Sequence, residues 1–322
     1  MLSRIAESLF WIGRYLERAE DTARILDVQL NQLLEGAAGE EDAVARRLLA
    51  VMGVEAKASE RLSLAELTSR LSVSRDEPSS IYASLRGARE NARGIRESIS
   101  SEFWECLNAT MVAIDQLGSQ TRSMGPHEFF RFARIARERV AIADGISDAT
   151  MSRDDGWQMM LLGRMIERAD MTARLLAAQI NDTGREPDWA TTLRACSAYE
   201  AYLRTYRGAL SAVNVMEFLL LDRYFPRSVY FSLATAEECL AVLDQQPSRT
   251  GGGEEAKRIM GRARARLEYE TISEIIQHLP VQLREVQMAC RNASSAIAST
   301  YFQREATLVW RNDDVVATTG GL

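Results

Sequence analysis

The ionisable residues whose spacing could support chemistry fall in one repeated stretch. Residues 9–24 carry Gly13, Arg14, Glu17, Arg18, Glu20 and Arg24; residues 159–174 repeat them as Gly163, Arg164, Glu167, Arg168, Asp170 and Arg174. The offset is 150 throughout (17 to 167, 24 to 174), and Leu26/Leu176, Gln29/Gln179 and Asn31/Asn181 extend the match. On a helix turning about 100° per residue, Gly13, Glu17, Glu20, Arg24 and Asn31 share one stripe. Arg14, Arg18 and Gln29 line the far flank of an apolar face made of Ile12, Tyr15, Leu16, Ala19, Ala23, Leu26 and Leu30.

Carboxylates and guanidiniums so placed admit two chemistries. They can hold one another: Glu17 and Arg24 would pair with Arg174 and Glu167 where the two copies meet, forming a buried clamp. Alternatively they bind a carboxylate or phosphate, with Glu17 or Glu167 as proton acceptor. Glu20 and Arg24 form an i,i+4 pair that Asp170 and Arg174 repeat. Gly13 and Gly163 sit mid-helix, where glycine costs ~1 kcal/mol against alanine, so a helix or ligand should approach closely there. A merely solvated face has no reason to keep these types in both copies.

A weaker constellation is Arg89-Glu90-Asn91-Ala92-Arg93 with Arg96 and Glu97; the counterpart from Ala236 keeps only Glu238. It reads as an asymmetric site or as a solvated face. Arg223 and Arg227, around Phe225-Pro226, are further candidates.

Several chemistries lack their residues. The two histidines, His127 and His278, do not follow a Glu by three positions, so the Glu-x-x-His di-iron pattern is absent. Gly251-Gly252-Gly253 lacks the downstream Gly-Lys-Ser/Thr of a phosphate loop, and no Gly-x-Ser-x-Gly elbow or HExxH helix occurs. No metal or cofactor is expected. Cys106, Cys196, Cys239 and Cys290 are far apart, which suggests reduced, buried thiols in a cytoplasmic protein. A formal charge of −6 argues against nucleic-acid binding through bulk electrostatics. Ile5–Ile12 is broken by Glu7, so no secretory leader is expected, and no run reaches the ~20 apolar residues of a membrane span.

The elements that must position these groups are helices. Six prolines in 322 residues, 46% hydrophobic content and few β-branched runs point to an all-α chain with a substantial core. Ser3 caps a first helix reaching about residue 34, roughly 50 Å long. Further helices are expected over 41–54, 62–73, 79–98 (opened by Pro78), 102–117, 127–151, 155–182, 189–207, 211–222, 226–245, 255–278 and 281–304, about 10–12 in all. Phe129–Ile142 and Ile272–Leu279 read as amphipathic core segments, and Pro247–Gly253 as a loop. The repeat continues: Pro78-Ser79-Ser80-Ile81-Tyr82 matches Pro226-Arg227-Ser228-Val229-Tyr230, Arg75 matches Arg223, and Gly145-Ile146 more weakly faces Ala296-Ile297. A tandem duplication explains this, with halves at 1–152 and 153–310 packed about a pseudo-two-fold axis around one core, and a disordered tail at 311–322.

Gly13-Arg14-Tyr15-Leu16-Glu17-Arg18-Ala19-Glu20 resembles the bacterial alpha-E family, named for helical content and a Glu-Arg motif. Pro78-Ser79-Ser80-Ile81, Ala88–Arg93, Phe218–Val229 and Tyr301-Phe302 extend the resemblance over nearly the whole chain. Ala65–Thr68 departs from it, being more polar than the corresponding Met216–Leu219. The resemblance implies a context: such proteins are encoded beside, or fused to, a circularly permuted ATP-grasp protein, often with a transglutaminase-like peptidase. It thus implies an accessory role in peptide- or amide-bond formation. An enzyme using the repeated Glu and Arg, and a purely structural homo-oligomer, are the alternatives.

Overall fold

A computed structural model describes residues 3–35, 41–57, 61–119, 125–181, 187–208, 210–244 and 254–302. Among them every regular element is helical: α1 (Ser3–Glu35), α2 (Glu41–Val51), α3 (Leu64–Ser72), α4 (Ile81–Arg93), α5 (Ser101–Ser119), α6 (Pro126–Thr150) and α7 (Asp155–Asn181) come first. There follow α8 (Trp189–Ala195), α9 (Tyr199–Tyr206), α10 (Ala212–Leu221), α11 (Val229–Leu243), α12 (Glu255–Tyr269), α13 (Ile272–Gln277) and α14 (Leu279–Tyr301). A 3₁₀ turn occupies Arg96–Ser98. The expected loop at Pro247–Gly253 and tail at 311–322 lie outside the described residues.

The long amphipathic helices form two four-helix groups. In the first, α4 and α6 pack on α1, and α5 packs on both; in the second, α11 and α14 pack on α7, and α12 on both. The groups meet along α1 and α7, the most extensive helix contact in the molecule. One core cluster runs from Ala6 to Ile297, with Phe10, Phe103, Phe129, Phe132, Tyr202 and Phe218 fully buried. Burying each such ring is worth about 2–3 kcal/mol of transfer free energy.

Local chemistry sets the ends of the elements and accounts for departures from the expected spans. Pro78 and Pro226 do not open α4 and α11. Ser80 and Ser228 are the N-caps, accepting from the Ala83 and Phe231 amides at 2.9 and 3.0 Å, and the prolines lie in the preceding turns. The same hydroxyls donate back to Ser74 O and Asp222 O at 2.6 and 2.5 Å, tying each turn to its helix. The expected 79–98 helix stops at Arg93, with Gly94 as its C-cap, because Ile95 leaves the α conformation before the 3₁₀ turn. The expected 189–207 helix is broken after Ala195, where Ser197 takes a left-handed φ of 50°. The expected 255–278 helix is cut at Glu270, which is extended, and Thr271 restarts it with a Glu274 capping box. These breaks yield more helices than the expected 10–12. On α6, Phe129, Phe132, Ala136, Val140 and Ala143 form the core stripe, while Ile142 faces outward and is 47% exposed. No helix among the described residues is long and apolar enough to cross a membrane.

Candidate functional site

The site lies where α1 crosses α7. A Cβ on Gly13 would stand 2.0 Å from the Met160 carbonyl oxygen, and one on Gly163 would stand 2.1 Å from that of Phe10. Each glycine therefore admits the other helix's backbone, as the mid-helix cost implied. This contact carries the polar stripe of each helix into the interface. Glu17, Asp21, Arg24, Arg164, Glu167 and Asp170 are all buried.

Glu17 lies on one side of the crossing. Arg168 from α7 donates to it through Nε at 2.8 Å and Nη2 at 2.6 Å, a two-point fork. Arg227, from the turn before α11, donates to Glu17 at 2.6 Å, Asp21 at 2.9 Å and Glu20 at 2.5 Å. Arg24 donates to Glu20 at 2.6 Å, to Asp21, and to the Ala195 carbonyl at the end of α8 at 2.6 Å. The turn bearing Arg227 is itself fastened: Arg168 Nη1 donates to Pro226 O at 3.3 Å and Thr172 to Arg227 O at 3.1 Å. Arg164 donates to Asp144 of α6 at 2.6 Å, while its buried Nε has no partner.

On the other side, Glu167 accepts from Arg18 at 2.6 and 3.1 Å and from Arg14 at 2.6 Å. Arg14 also donates to Ser294 at 2.9 Å, and its guanidinium lies 5.4 Å from the Trp11 ring; Arg18 lies 5.8 Å from that of Tyr15. Arg174 pairs with Asp170 at 2.8 Å and reaches the Val51 carbonyl at the end of α2 at 3.4 Å.

Electrostatics separate the carboxyls. Burial disfavours the charged form of Glu17, but Arg168 and Arg227 outweigh it and hold the group well below the usual range. Burial opposes Glu167 in the same way; Arg14 and Arg18 prevail and bring it down to about 2. Asp21 goes the other way: burial, helped by Glu17 and Glu20, outweighs Arg24 and Arg227 and pushes it up to about 7. Burial also raises Asp144 to about 6 against the pull of Arg164. Arg227, opposed by its own burial, is pushed up by Glu17, Glu20 and Asp21. Burial likewise lifts the thiols of Cys196 and Cys239 to about 12; all four cysteines are buried and free.

The ten charged residues shared by the two stretches thus converge on the crossing, but the expected pairing is corrected. Glu17 does not meet Arg174, nor Glu167 Arg24; Arg168 and Arg227 take Glu17, and Arg14 and Arg18 take Glu167. Arg24 and Arg174 turn instead to carboxylates on their own helices, as the i,i+4 spacing indicated. Arg227 joins the network, whereas Arg223 pairs with Glu268 at 3.1 Å on the surface. Arg89 donates to Asn108 at 2.9 Å and pairs with Glu90; Asn91 bonds Gly87 O; Arg93 is largely exposed. Glu90 and Arg93 of that run are exposed, whereas Arg89 and Asn91 are half-buried. Asp21 and Asp144 went unnoticed in the sequence, Asp21 because the repeat replaces it with Met171 and Asp144 because it sits on a distant helix. The i,i+3 spacing of Asp21 to Arg24 was the available signal.

Relatives carry the same region inside longer chains. An uncharacterized protein of Mycobacterium bovis and one of Mycobacterium tuberculosis are each 28% identical to this chain over 271 residues. The matches cover 77% of this chain and 30% of theirs, so it spans less than a third of their length. No solved structure matches. The Alpha-E family model, a predicted alpha-helical domain with a conserved ER motif, matches residues 1–302. With Glu17-Arg18 and Glu167-Arg168 interlocked at its centre, the chain belongs to the Alpha-E family.

Proposed function

We propose that this chain is a helical accessory module of an ATP-grasp-dependent system that forms peptide or amide bonds, holding the ligase or its peptide substrate. The observation that carries this reading is the saturation of the Glu-Arg pairs. Each glutamate accepts three guanidinium hydrogen bonds, and a carboxyl held far below its usual range is a poor proton acceptor near pH 7. The motif then acts as a clamp that fixes the outer helices for a partner. The size of the relatives supports the same reading, because there the matching region accompanies a much longer polypeptide. The partner is a circularly permuted ATP-grasp protein, in company with a transglutaminase-like peptidase, in the cytoplasm.

The scaffold itself arose by tandem duplication, with halves at 1–152 and 153–310 related by a pseudo-two-fold axis. Reciprocal detail supports this: Gly13 against Met160 and Gly163 against Phe10, and Arg168 on Glu17 and Arg18 on Glu167. Arg75 lies 5.0 Å from the Tyr82 ring and Arg223 4.9 Å from that of Tyr230.

A second reading, an enzyme of the same system, draws on Asp21, whose raised pKa near neutrality suits proton transfer better than either glutamate. The test is co-expression with the neighbouring ATP-grasp protein. A stable complex at micromolar concentration, and product formation that survives Asp21→Asn, are expected. Two proteins that never associate would defeat the accessory reading, and loss of product in Asp21→Asn with the complex intact would favour the enzyme.

A further inference from the structure

The two sides of the α1–α7 crossing differ in charge. On the Glu17 side, four carboxylates (Glu17, Glu20, Asp21, Asp144) face four guanidiniums (Arg24, Arg164, Arg168, Arg227). On the Glu167 side, among the described residues, Glu167 and Asp170 face Arg14, Arg18 and Arg174. One guanidinium there has no counter-charge.

The deficit has a structural origin. Arg164 donates to a carboxylate, Asp144, at 2.6 Å; Arg14, the corresponding residue of α1, donates at 2.9 Å to the neutral hydroxyl of Ser294. Met171 stands where Asp21 does in the repeat. Arg14 and Arg18 must therefore share Glu167. Arg14 Nη2 and Arg18 Nη1 make no hydrogen bond among the described residues, and neither is sealed from solvent. The two side chains are 13% and 19% exposed, so the surplus charge is mostly desolvated yet reachable. The half-buried rings of Trp11 and Tyr15, 5.5 Å apart, flank them and limit access to a small group.

We propose that Arg14 and Arg18 bind a small oxyanion, a carboxylate or a phosphate group, which supplies the missing negative charge on the Glu167 side of the crossing. A partly desolvated cation without a counter-ion is costly, and an oxyanion spanning the two free guanidinium nitrogens removes that cost while satisfying both donors. The inference goes beyond the accessory reading and stands or falls apart from it, since the isolated chain should bind the anion without any ligase.

The experiment is thermal unfolding of the full chain near neutral pH in sodium phosphate, sodium acetate or sodium chloride at matched ionic strength. A saturable rise in Tm of about 2–4 °C over chloride is expected with at least one oxyanion. A response to phosphate alone identifies a phosphoryl ligand, and a response to acetate identifies a carboxylate. Ser294→Asp places the missing carboxylate beside Arg14, so it should raise Tm in chloride and abolish the oxyanion response, while Ser294→Asn keeps the response. The proposal is overturned if neither oxyanion shifts Tm beyond chloride, or if Ser294→Asp responds as fully as the wild type.

Discussion

Arg18 reaches across the crossing from α1 to grip Glu167 of α7 at two points, Nε to Oε1 at 2.6 Å and Nη2 to Oε2 at 3.1 Å. Arg168 grips Glu17 in the same way. The residue that follows each motif glutamate is thus the one that binds the other helix's glutamate, and the Glu-Arg dipeptide is a unit because both members face the partner helix.

Breaking one side of such a pair leaves a buried charge. Glu17→Gln and Glu167→Gln should each lose about 3–5 kcal/mol of unfolding free energy. The loss should be greater for Glu167, which leaves both Arg14 and Arg18 without a carboxylate, whereas Arg227 keeps Glu20 and Asp21 when Glu17 is lost. Denaturant titration reads this directly, and a glutamine variant as stable as wild type would mean that the carboxylate is not a clamp.

Helix propensity and packing make opposite predictions at the glycines. Alanine at Gly13 or Gly163 should gain about 1 kcal/mol from propensity in an exposed helix. Here its Cβ would press into a backbone carbonyl that cannot yield as a flexible side chain would. We expect a net loss of about 2 kcal/mol or more from overpacking, in either variant. Stabilisation by alanine would show that the helices are farther apart in solution.

Arg227 faces Glu17, Glu20 and Asp21 together. Arg227→Met should destabilise by about 3 kcal/mol or more near neutral pH. Removing the cation raises the folded-state pKa of Glu17 and Asp21, so the folded state takes up protons first as pH falls. The deficit should therefore be smaller at pH 5 than at pH 8. An equal deficit at both values would remove Arg227 from the network.

Asp144 supplies a complementary pH test. Its carboxyl titrates near 6 when folded and at its ordinary value, 3.8, when unfolded. A raised carboxyl pKa means that stability from this group rises as pH falls from about 6 to about 4 and is flat below. Because 23% of the side chain stays exposed, the swing is held to about 1–2 kcal/mol. Asp144→Asn should make the stability curve less steep across that interval, leaving the slope that Asp21 contributes. Glu167, held near 2, acts oppositely: its stabilisation is present above 4.5 and is lost as pH falls towards 2. A variant retaining the wild-type slope between pH 4 and 6 would place the titration elsewhere.

Much of this molecule was legible in its residues. The period of Leu9, Ile12, Leu16, Ala19, Ala23 and Leu26 made α1 a helix and put Glu17, Glu20 and Arg24 on one flank and Arg14 and Arg18 on the other, because side-chain direction follows from local geometry. The glycines announced a close approach for the same local reason. What the residues did not carry was the register of the crossing. A wheel gives the angle of a side chain about its own axis, but which charges meet depends on where two axes touch. With Gly13 seated against Met160 and Gly163 against Phe10, Glu17 comes level with Arg168; Arg174 lies six residues farther along α7, roughly 9 Å away. Arg227, Asp144 and Ser294 were hidden by the same limit, since each arrives from an element whose position only the packed core determines.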